Sequence, residues 1–262
     1  KREEGGGGRT RILLDGTIVE KGGVNFSHVH GAVTDMMKAN TEITADSFSA
    51  TGVSIVIHPK SPHIPIIHMN VRYFELSDGT YWFGGGIDLT PHYVIHSQAA
   101  AFHNELKEVC DKYNLEFYPK FKNWADDYFF ITHRNETRGI GGIFFDHLDT
   151  SCGLSKEQIM KFCIDLGDAF VSMYNTQVDL GKNTPITSAE LKWMHLRRGR
   201  YVEFNLVHDR GTKFGLVSGG RTESILMSLP ASAGWEYNYI PKENSMENAT
   251  LKSLKKGVNW VG

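Results

Sequence analysis

The chain lacks the features that identify several large classes of protein. It has no apolar run near the roughly 18 residues that a membrane-spanning helix needs, and its first residues do not resemble a signal peptide. It contains no P-loop, dinucleotide-binding fingerprint or HExxH metal motif. Its three cysteines have no paired spacing, which argues against a disulfide framework, a zinc ribbon or an iron–sulfur cluster. They are Cys110, Cys152 and Cys163.

An excess of charge of either sign is also missing. The net charge of -2 gives no general attraction for nucleic acid or anionic membranes. Any anionic partner must therefore be held by cations that cluster locally. The unpaired cysteines indicate a reducing compartment, and we expect the cytoplasm. Because the sequence starts at Lys1, a missing leader and a mitochondrial location are the alternative.

What the chain does contain is a series of short β-like segments after Gly52. GVSIVIH, IIHMNVRYFEL and TYWFGGGIDL are rich in β-branched and aromatic residues, and Pro, Asp-Gly or Gly clusters separate them. The sequence SDGT from Ser77 to Thr80 is typical of a hairpin turn, so the second and third segments are predicted to be antiparallel neighbours. The N-terminal segment, in which GGGG follows KREE, is predicted to be a loop.

Helical periodicity appears in three places. Residues 97–113 carry apolar side chains on one face. Ser155 and Gln158 form a capping box ahead of an apolar stripe, and Thr187 with Glu190 opens a shorter helix in the same way. Strands are predicted again at RYVEFNLVHDRG and ESILMSLP. This order predicts an α+β fold built on a mainly antiparallel sheet, as a single domain over residues 1–262.

Alternation along the predicted strands gathers polar side chains on single faces. The groups are His68, Asn70 and Arg72; Ser54 and His58; and Glu203, Asn205 and Asp209. For any one strand, a solvent-facing side is the simpler interpretation. Solvent-facing sides usually carry Lys, Glu and Thr, however, and the residue types found here favour the lining of a pocket.

Five arginines are candidates for binding a ligand with several carboxylates, because a guanidinium presents a planar fork to a carboxylate. They are Arg72, Arg134, Arg138, Arg210 and Arg221. Taken singly, each is explained more simply by a structural ion pair. The glycine runs at 84–86 and 139–142 indicate strand distortion rather than phosphate binding. SGGRTES, in contrast, places backbone N–H groups beside Arg221, where they could hold an anionic group.

Four histidines are candidate ligands of a divalent metal, namely His58, His68, His103 and His133. Their spacing is not that of any compact metal site, so ligation would need distant segments to converge. Hydrogen bonding to a ligand or within the core is the simpler role, and the metal is kept as the alternative.

At these motifs the sequence resembles the oxygen-dependent coproporphyrinogen III oxidases, over nearly the whole chain. The family signature runs from Lys-x-Trp-Cys to His-Arg-x-Glu-x-Arg-Gly-x-Gly-Gly-x-Phe-Phe-Asp. It stands here as KNWADDYFFITHRNETRGIGGIFFD, residues 122–146, with Ala125 in place of the cysteine, so no role is assigned to a thiol there. Further matches are VIHPKSPHIPIIHMNVRYFE, WFGGGIDLTP, LRRGRYVEFNLVHDRGTKFGL and RTESILMSLP. Part of the N-terminal region of the family is expected to be missing.

The resemblance implies an antiparallel sheet flanked by helices on both faces, and a homodimer formed around Tyr201 to Trp235. It implies oxidative decarboxylation of two propionates of coproporphyrinogen III to vinyl groups, giving protoporphyrinogen IX, carbon dioxide and hydrogen peroxide. Molecular oxygen is the implied co-substrate, and no organic cofactor, nucleic acid or transmembrane segment is implied. The metal assignment of the four histidines matches some bacterial members of the family.

The resemblance also implies site residues, carried over by position. The substrate-binding positions are Ser54, Asn70, Val71, Arg72, Arg138, Gly219, Gly220 and Arg221. The catalytic positions are His68, with a proposed proton-donor role, and Asp209, Asp88 and Arg210.

The chemistry of such a substrate suits these residue types. A reduced macrocycle supplies the electrons that dioxygen takes, which leaves positioning, proton handling and exclusion of water to the protein. We expect Arg72 and Arg221 to hold propionates, and His68 to relay a proton. We expect Asp209 to accept pyrrole N–H groups and act as base, with Asp88 as the second candidate. The glycines after Arg138 are expected to let that residue and His133 reach the cleft, while the Phe-Phe pair anchors the strand.

Two other functions use the same residues. A tetrapyrrole carrier would need the arginines and aromatic residues without acid–base chemistry, and a metal-dependent hydrolase would use the histidines. The radical-type oxidase for the same substrate needs CxxxCxxC, which this sequence lacks.

Overall fold

The computed structural model of the chain describes residues 5–33, 44–217 and 220–261. Within these residues six strands form one antiparallel sheet, in the order β1-β2-β3-β4-β5-β8, and two short strands form a separate pair. The sheet consists of β1 (Gly6–Leu14), β2 (Val19–Ala32), β3 (Ser47–Pro59), β4 (Ile66–Leu76), β5 (Tyr81–Thr90) and β8 (Gly142–Leu148). The pair consists of β6 (Phe130–Ile131) and β7 (Glu136–Thr137).

The first two helices follow β5, and the other five follow β8. They are α1 (His96–Asp111), α2 (Phe117–Tyr128), α3 (Lys156–Gly181), α4 (Ser188–Glu203), α5 (Arg210–Val217), α6 (Thr222–Leu226) and α7 (Met246–Ser253). A π-helix, Phe204–His208, continues α4, and a short 3-10 turn, Thr150–Cys152, precedes α3. No helix in the described ranges is long and apolar enough to cross a lipid bilayer.

The predicted hairpin joins β4 and β5. These strands are antiparallel neighbours, and the turn between them contains Gly79 with a φ of 86°. The backbone N–H of Thr80 donates to the Asp78 carboxylate at 2.9 Å, which fixes the turn from within. The prediction of antiparallel neighbours at SDGT is therefore confirmed.

One face of the sheet is apolar and packs against α1, α2 and α3. Strand residues such as Ile67, Met69 and Ile87 are almost fully buried there, together with Phe102 of α1 and Phe162 of α3. Because side chains alternate along a strand, this apolar set leaves the intervening residues on the opposite face. The core therefore lies on one side of the sheet and frees the other side for polar groups.

The opposite face is partly covered by α4 and the segment that follows it. Tyr201 of α4 packs against Val56 and Ile66 of the sheet. The buried guanidinium of Arg198 donates to the Pro59 carbonyl at 2.7 Å and pairs with Glu20 at 2.6 Å. The predicted α+β fold, with a mainly antiparallel sheet flanked by helices on both faces, is confirmed. The assignment of residues 1–262 to a single domain stays a prediction.

The helix predictions hold where capping residues announce them. Ser155 and Thr187 each form the predicted capping box, with Gln158 and Glu190 respectively. The helix predicted over 97–113 is α1, and it begins and ends within two residues of that range. Helix α2 was not predicted. Its sequence carries Pro119 in the first turn, a position that a helix tolerates.

The prediction of strands at RYVEFNLVHDRG and ESILMSLP is wrong. The first segment completes α4, forms the π-helix and starts α5, and the second lies in and after α6. In the first segment the aromatic residues Tyr201 and Phe204 are buried by tertiary contacts rather than by strand pairing. Packing therefore overrides the β propensity of the sequence.

The prediction of a loop at the N-terminus is wrong from Gly6 onward, and residues 1–4 lie outside the described residues. Gly6 to Gly8 begin β1, which pairs with β2 along its whole length. A Cβ at Gly8 would lie 2.4 Å from the Phe26 carbonyl oxygen, so the glycine allows two strands to approach closely. A glycine run here serves strand pairing and not flexibility.

Candidate active site

The register of the central strands brings four predicted residues onto one face of the sheet, which we call the polar face. Ser54 of β3 lies opposite Asn70 of β4, and Arg72 follows Asn70 by two positions. His68 precedes Asn70 by two positions and lies opposite Asp88 of β5. The predicted common face of His68, Asn70 and Arg72 is therefore confirmed, and Ser54 lies on it as well.

Glycines of β5 make room for Arg72 on the polar face. Gly84 lies opposite Arg72 and Gly86 lies opposite Asn70. A Cβ at Gly84 would come within 2.7 Å of both Arg72 Nη2 and Asp146 Oδ1. Without it, Arg72 pairs with Asp146 at 2.9 Å and donates to the side-chain Oδ1 of Asn70 at 2.9 Å. The Arg72 side chain stays 35% exposed, so its guanidinium is accessible to a ligand.

A chain of three ionisable residues leads from the polar face into the interior. His68 Nδ1 lies 2.9 Å from Asp88 Oδ1, and Arg138 Nη2 donates to Asp88 Oδ2 at 2.8 Å. Burial alone would raise the pKa of Asp88, but the charge of Arg138 and the hydrogen bond from His68 hold this pKa below its usual value. An ionised Asp88 accepts from Nδ1–H of His68, which leaves Nε2 as the ring nitrogen for proton exchange.

Arg138 is held inside a shell of aromatic rings. Its guanidinium carbon lies 4.4 Å from the ring centre of Phe129, 4.7 Å from that of Tyr201 and 4.6 Å from that of Phe204. Its Nη1 donates to the side-chain Oδ1 of Asn205 at 3.0 Å. Burial lowers the pKa of Arg138, but the nearby carboxylate outweighs this and the pKa is raised. The Arg138 side chain is only 2% exposed, so its link to the polar face is indirect, by its ion pair with Asp88.

Asp209 approaches the polar face from the end of the π-helix. Its Oδ1 accepts from the Tyr128 hydroxyl at 2.8 Å, and its Oδ2 accepts from the backbone N–H and the hydroxyl of Thr212 at 2.7 and 2.8 Å. Burial opposes ionisation, but these hydrogen bonds outweigh it, so the pKa of Asp209 is lowered. The Tyr128 ring stacks on Phe144 of β8, which lies opposite Gly86. This stacking joins Asp209 to the polar face.

Of the three remaining predicted arginines, Arg210 and Arg221 flank this arrangement, whereas Arg134 donates from Nε and Nη2 to the two Glu203 carboxylate oxygens at 2.8 and 2.7 Å. The Arg210 guanidinium lies 5.4 Å from the ring centre of Tyr128. Arg221 immediately precedes α6, and its side chain is 75% exposed, with Glu223 at 3.7 Å. The carbonyl of Ser224 in α6 accepts from the Asn25 side chain at 2.9 Å. Since Asn25 lies opposite Ser54 in the sheet, Arg221 stands at the border of the polar face.

Three of the predicted substrate-binding residues place no described side chain on the polar face. Val71 alternates to the apolar face and packs against the core there. Gly219 lies outside the described residues. Gly220 directly precedes Arg221, and its backbone N–H donates to a carbonyl of α5 at 2.9 Å. The Phe-Phe pair divides in the same way, because Phe145 is buried in the core while Phe144 lies on the polar face.

The candidate metal ligands His58 and His103 are buried and engaged elsewhere. His58 lies near the Ser228 carbonyl at 2.8 Å, and burial lowers its pKa to about 3. His103 lies between the Tyr118 hydroxyl and the Ile140 carbonyl at 2.9 and 3.0 Å, on the apolar side of the sheet. Burial lowers its pKa to about 3 as well.

His133 is far from the His68 chain in its contacts. It forms hydrogen bonds with His208 and Glu203 at the surface, at 2.9 Å each. We expected His133 to reach the cleft, but these contacts hold it away from the polar face. No group of three or more His, Cys, Asp or Glu side chains within the described ranges could hold a metal ion. The four histidines therefore do not fit one shared metal site, and we derive no step through a metal.

The structure adds site residues that sequence reasoning missed. Tyr128, Thr212 and Asp146 hold Asp209 and Arg72 in place. All three lie inside segments that match the family, but their partners are distant along the chain. Asn205 was grouped with Asp209 on a strand face and instead sits in the π-helix, bonded to Arg138.

Comparison of the sequence with known proteins finds a matching family and several similar proteins. A sequence model of the family described as coproporphyrinogen III oxidase matches residues 1–260. The human protein named oxygen-dependent coproporphyrinogen-III oxidase, mitochondrial, is 50% identical over 275 residues, covering 100% of this chain and 60% of the human protein. The mouse protein of the same name is also 50% identical, with 61% of it covered. A Drosophila melanogaster protein, oxygen-dependent coproporphyrinogen-III oxidase, is 48% identical, with 70% covered.

The chain thus spans about 60% of the length of its mammalian relatives. The family match nevertheless covers residues 1–260, which include the strands of the polar face and the segment that carries Asp209. On this basis the chain belongs to the coproporphyrinogen III oxidase family.

Proposed function

We propose that the chain catalyses the oxygen-dependent oxidative decarboxylation of coproporphyrinogen III. For each of two propionates, the C–C bond to the carboxyl group breaks and a C–H bond is lost from the neighbouring carbon. A vinyl group forms, carbon dioxide leaves, and dioxygen takes two electrons and two protons to become hydrogen peroxide. The observation that carries this proposal is the convergence of Arg72, His68 and Asp209 on the polar face. We expect no organic cofactor.

Arg72 and Arg221 are proposed to bind propionates that are not reacting. Arg72 is partly exposed and held in place by Asp146 and Asn70. Arg221 is exposed at the border of the same face. A planar guanidinium binds a carboxylate through two parallel hydrogen bonds, so two such groups would fix the orientation of the macrocycle. Ser54 and Asn70 offer hydrogen bonds between them.

Asp209 is better suited than Asp88 to face the substrate. Asp88 is already paired with the Arg138 cation, and its side chain is only 2% exposed. Asp209 is partly exposed, and its lowered pKa keeps it ionised at neutral pH. We infer that this carboxylate accepts pyrrole N–H groups and stabilises positive charge as electrons leave the ring. Its weak basicity makes charge stabilisation its main role, with proton removal secondary.

His68 is proposed to handle the proton that the reaction moves to peroxide. Its side chain is 25% exposed, and Asp88 holds its Nδ1 side, which directs Nε2 to the open face. We infer that Arg138 acts by keeping Asp88 ionised and in place. Arg210 is proposed to maintain the position of Tyr128 and the local positive potential beside Asp209.

A homodimer is proposed as the working form. The segment that the family resemblance implies for contact between copies, Tyr201 to Trp235, contains exposed apolar side chains, among them Leu206, Val207 and Trp235. Sedimentation equilibrium of the purified chain should give the mass of two chains. For location we propose the cytoplasm, with mitochondria as the alternative that the names of the mammalian relatives favour.

Turnover under air and under nitrogen tests the proposed function. The chain is incubated with coproporphyrinogen III, and the vinyl product and hydrogen peroxide are quantified. We expect equimolar carbon dioxide and peroxide under air and no vinyl product without oxygen. Saturable binding of coproporphyrinogen without product under air would instead favour a tetrapyrrole carrier.

A further inference from the structure

A β-bulge interrupts the end of β8, and the function proposed above gives it no role. Where β5 has only Gly84, β8 has two residues, Asp146 and His147. His147 has a φ of 49°, in the left-handed region that residues other than glycine rarely adopt. Strain of this kind clusters at functional sites, and a bulge turns a side chain away from the direction that regular alternation gives it. Here the side chain beside the strained residue is that of Asp146.

The bulge holds the Asp146 carboxylate against the arginine that is proposed to bind a propionate. The backbone N–H of His147 donates to Asp146 Oδ1 at 3.0 Å, and the same oxygen lies 2.9 Å from Arg72 Nη2. The His147 ring stacks on Trp82, with ring centres 4.9 Å apart, which supports the strained residue. The side chains of Arg72 and Asp146 are 35% and 27% exposed. A ligand of the polar face therefore meets an ion pair and not a free guanidinium.

Alignment of Arg72 does not by itself require a charged partner. Its Nη1 already donates to the neutral Oδ1 of Asn70 at 2.9 Å, and Gly84 lacks the Cβ that would collide with the guanidinium. A neutral acceptor in place of Asp146 would hold Nη2 through the same hydrogen bond. The carboxylate adds a negative charge that offsets the charge of Arg72 and repels an incoming carboxylate. A propionate that binds Arg72 must therefore displace this counter-ion or share the guanidinium with it.

The second arginine proposed to bind a propionate has a weaker counter-ion. Arg221 Nε lies 3.7 Å from Glu223 Oε2, and the two side chains are 75% and 78% exposed. Solvent screens an ion pair of this kind. The pair of Arg72 and Asp146 is shorter and less exposed. Of the two carboxylates, Asp146 is therefore expected to have the larger effect on the binding of a propionate.

The chemistry of the product gives such a counter-ion a use. Two propionates of the substrate react in the proposed function, and the product keeps the others. An arginine that binds a propionate that does not react binds the same group in the product. Such uniform binding does not accelerate the chemical step, and it slows the release of the product. A carboxylate of the protein that competes for the same guanidinium lowers this cost.

We propose that Asp146 determines how tightly the polar face binds carboxylates, because it competes with a propionate for Arg72 and so promotes release of the product. This inference rests on the proposed function. It accounts for a charged residue on a strained bulge, at a position where a neutral acceptor on a regular strand would suffice to align Arg72.

Asp146→Asn separates competition from alignment, because asparagine keeps an oxygen that accepts from His147 and Arg72 but loses the charge. Binding of coproporphyrinogen III and of protoporphyrinogen IX is measured by equilibrium dialysis under nitrogen, so that no oxygen is present for turnover. The bound tetrapyrrole is then oxidised and quantified by its absorbance. We expect Asp146→Asn to bind both about tenfold more tightly than the unaltered chain. In about 0.5 M salt this difference should fall below about threefold, because salt screens charges at a partly exposed site.

Two further variants support the measurement. Asp179→Asn on α3 is the matched control, since Asp179 forms an exposed ion pair with Lys182 at 2.6 Å on the other side of the sheet. It should bind both tetrapyrroles within about twofold of the unaltered chain. Asp146→Ser keeps a hydroxyl that accepts from the His147 N–H and should also bind more tightly. It keeps the test decisive if Asp146→Asn folds poorly.

The opposite results would overturn the inference. Unchanged or weaker binding in Asp146→Asn and Asp146→Ser would show that Asp146 only aligns Arg72. Equal tightening in Asp179→Asn would show a general effect of charge, and tightening that salt does not reduce would show that charge is not the cause. An unaltered chain that binds neither tetrapyrrole would contradict the proposed function itself, and with it this inference.

Discussion

At the residue scale, the behaviour of the site depends on which charges are buried together. Asp88 and Arg138 are both about 2% exposed and bonded at 2.8 Å, so neither has water to stabilise it if the other is lost. Asp209, in contrast, is held by neutral donors and is partly exposed. The Asp88–Arg138 pair is therefore expected to stabilise the fold and align His68, whereas Asp209 is expected to contact the ligand.

Arg138→Met is expected to lower the free energy of unfolding by about 3–5 kcal/mol, because it leaves Asp88 charged and unpaired in the interior. Asp88→Asn in the same chain should recover part of this loss, since the uncompensated charge disappears. Urea unfolding of both variants measures this. The matched control Arg9→Met, at an exposed position of β1, should change stability by less than about 0.5 kcal/mol. Equal stability of Arg138→Met and the unaltered chain would contradict the buried pair.

Asp209→Asn and Arg221→Ala should affect different kinetic constants. Asp209→Asn removes a charge that acts as the ring becomes oxidised, so kcat should fall by about 100-fold or more. Arg221→Ala removes a contact made equally before and during reaction, so it should mainly raise KM. Steady-state rates of vinyl product formation separate the two. A fully active Asp209→Asn enzyme would remove this residue from the chemistry.

The lowered pKa of Glu203 makes the stability of the protein depend on pH. Burial opposes its ionisation, but hydrogen bonds from Arg134, His133 and Trp235 lower its pKa from 4.5 to about 2. A carboxyl whose pKa is lowered by folding stabilises the protein above its unfolded pKa and loses that contribution as pH falls. The chain should therefore lose stability between pH 4.5 and about pH 2. Glu203→Gln should lose on the order of 1 kcal/mol less over this window, because solvent screens such partners.

Chemical unfolding at several pH values between 5 and 2 checks this expectation. Glu236→Gln, whose carboxylate pairs with Lys192 at the exposed surface, is the control and should follow the unaltered chain. Parallel curves for Glu203→Gln and the unaltered chain would contradict the assignment.

At the scale of elements, the π-helix is the feature that places the site residues from the C-terminal half. It interrupts helical structure between α4 and α5, with the Asp209 N–H bonded to the Phe204 carbonyl at 2.9 Å. A π turn holds one residue more than an α turn and often occurs at functional sites. Here it directs Asn205 to Arg138 and Asp209 to Tyr128.

Deletion of Leu206, an exposed residue of the π-helix, should restore α-helical spacing and rotate Asp209 away from Tyr128. We expect loss of kcat by about 100-fold, because misplacement of about 1 Å can cost that much. Far-UV circular dichroism should change little. Deletion of Asn183, in the exposed turn after α3, is the control and should keep activity. Unchanged activity after Leu206 deletion would show that the π turn does not position Asp209.

At the scale of the whole molecule, contacts between the N-terminal hairpin and the segment around α6 close one end of the polar face. Lys21 of β2 donates to the Leu229 carbonyl at 2.8 Å, and Asn25 donates to that of Ser224 at 2.9 Å. A Cβ at Gly23 would lie 2.1 Å from Met227 Cε. Residues some 200 positions apart are thus joined through β2, a strand that the sequence patterns did not predict.

Gly23→Ala should destabilise the chain by about 1 kcal/mol, because the new methyl group displaces the flexible end of Met227. In a Met227→Ala background the same substitution should be neutral or stabilising, which gives a coupling energy of at least about 0.5 kcal/mol. Urea unfolding of the four proteins measures it. Gly16→Ala, where the nearest atom to a Cβ is 3.4 Å away, is the control. An equal cost in both backgrounds would contradict this contact.

The sequence by itself determined what depends on neighbours along the chain. Alternation determined that His68, Asn70 and Arg72 share a face, and capping boxes determined where α3 and α4 begin. The SDGT turn determined the pairing of β4 and β5. These are local effects of backbone geometry and hydrogen bonding, so short stretches of sequence contain them.

Only the tertiary structure decided which distant groups meet. Whether RYVEFNLVHDRG is strand or helix depended on burial of Tyr201 and Phe204 against other segments, which β propensity alone does not reveal. The partners of Asp88 and Asp209 followed from that choice. Ionisation and binding depend on the charges and solvent around a group, and folding alone brings those together.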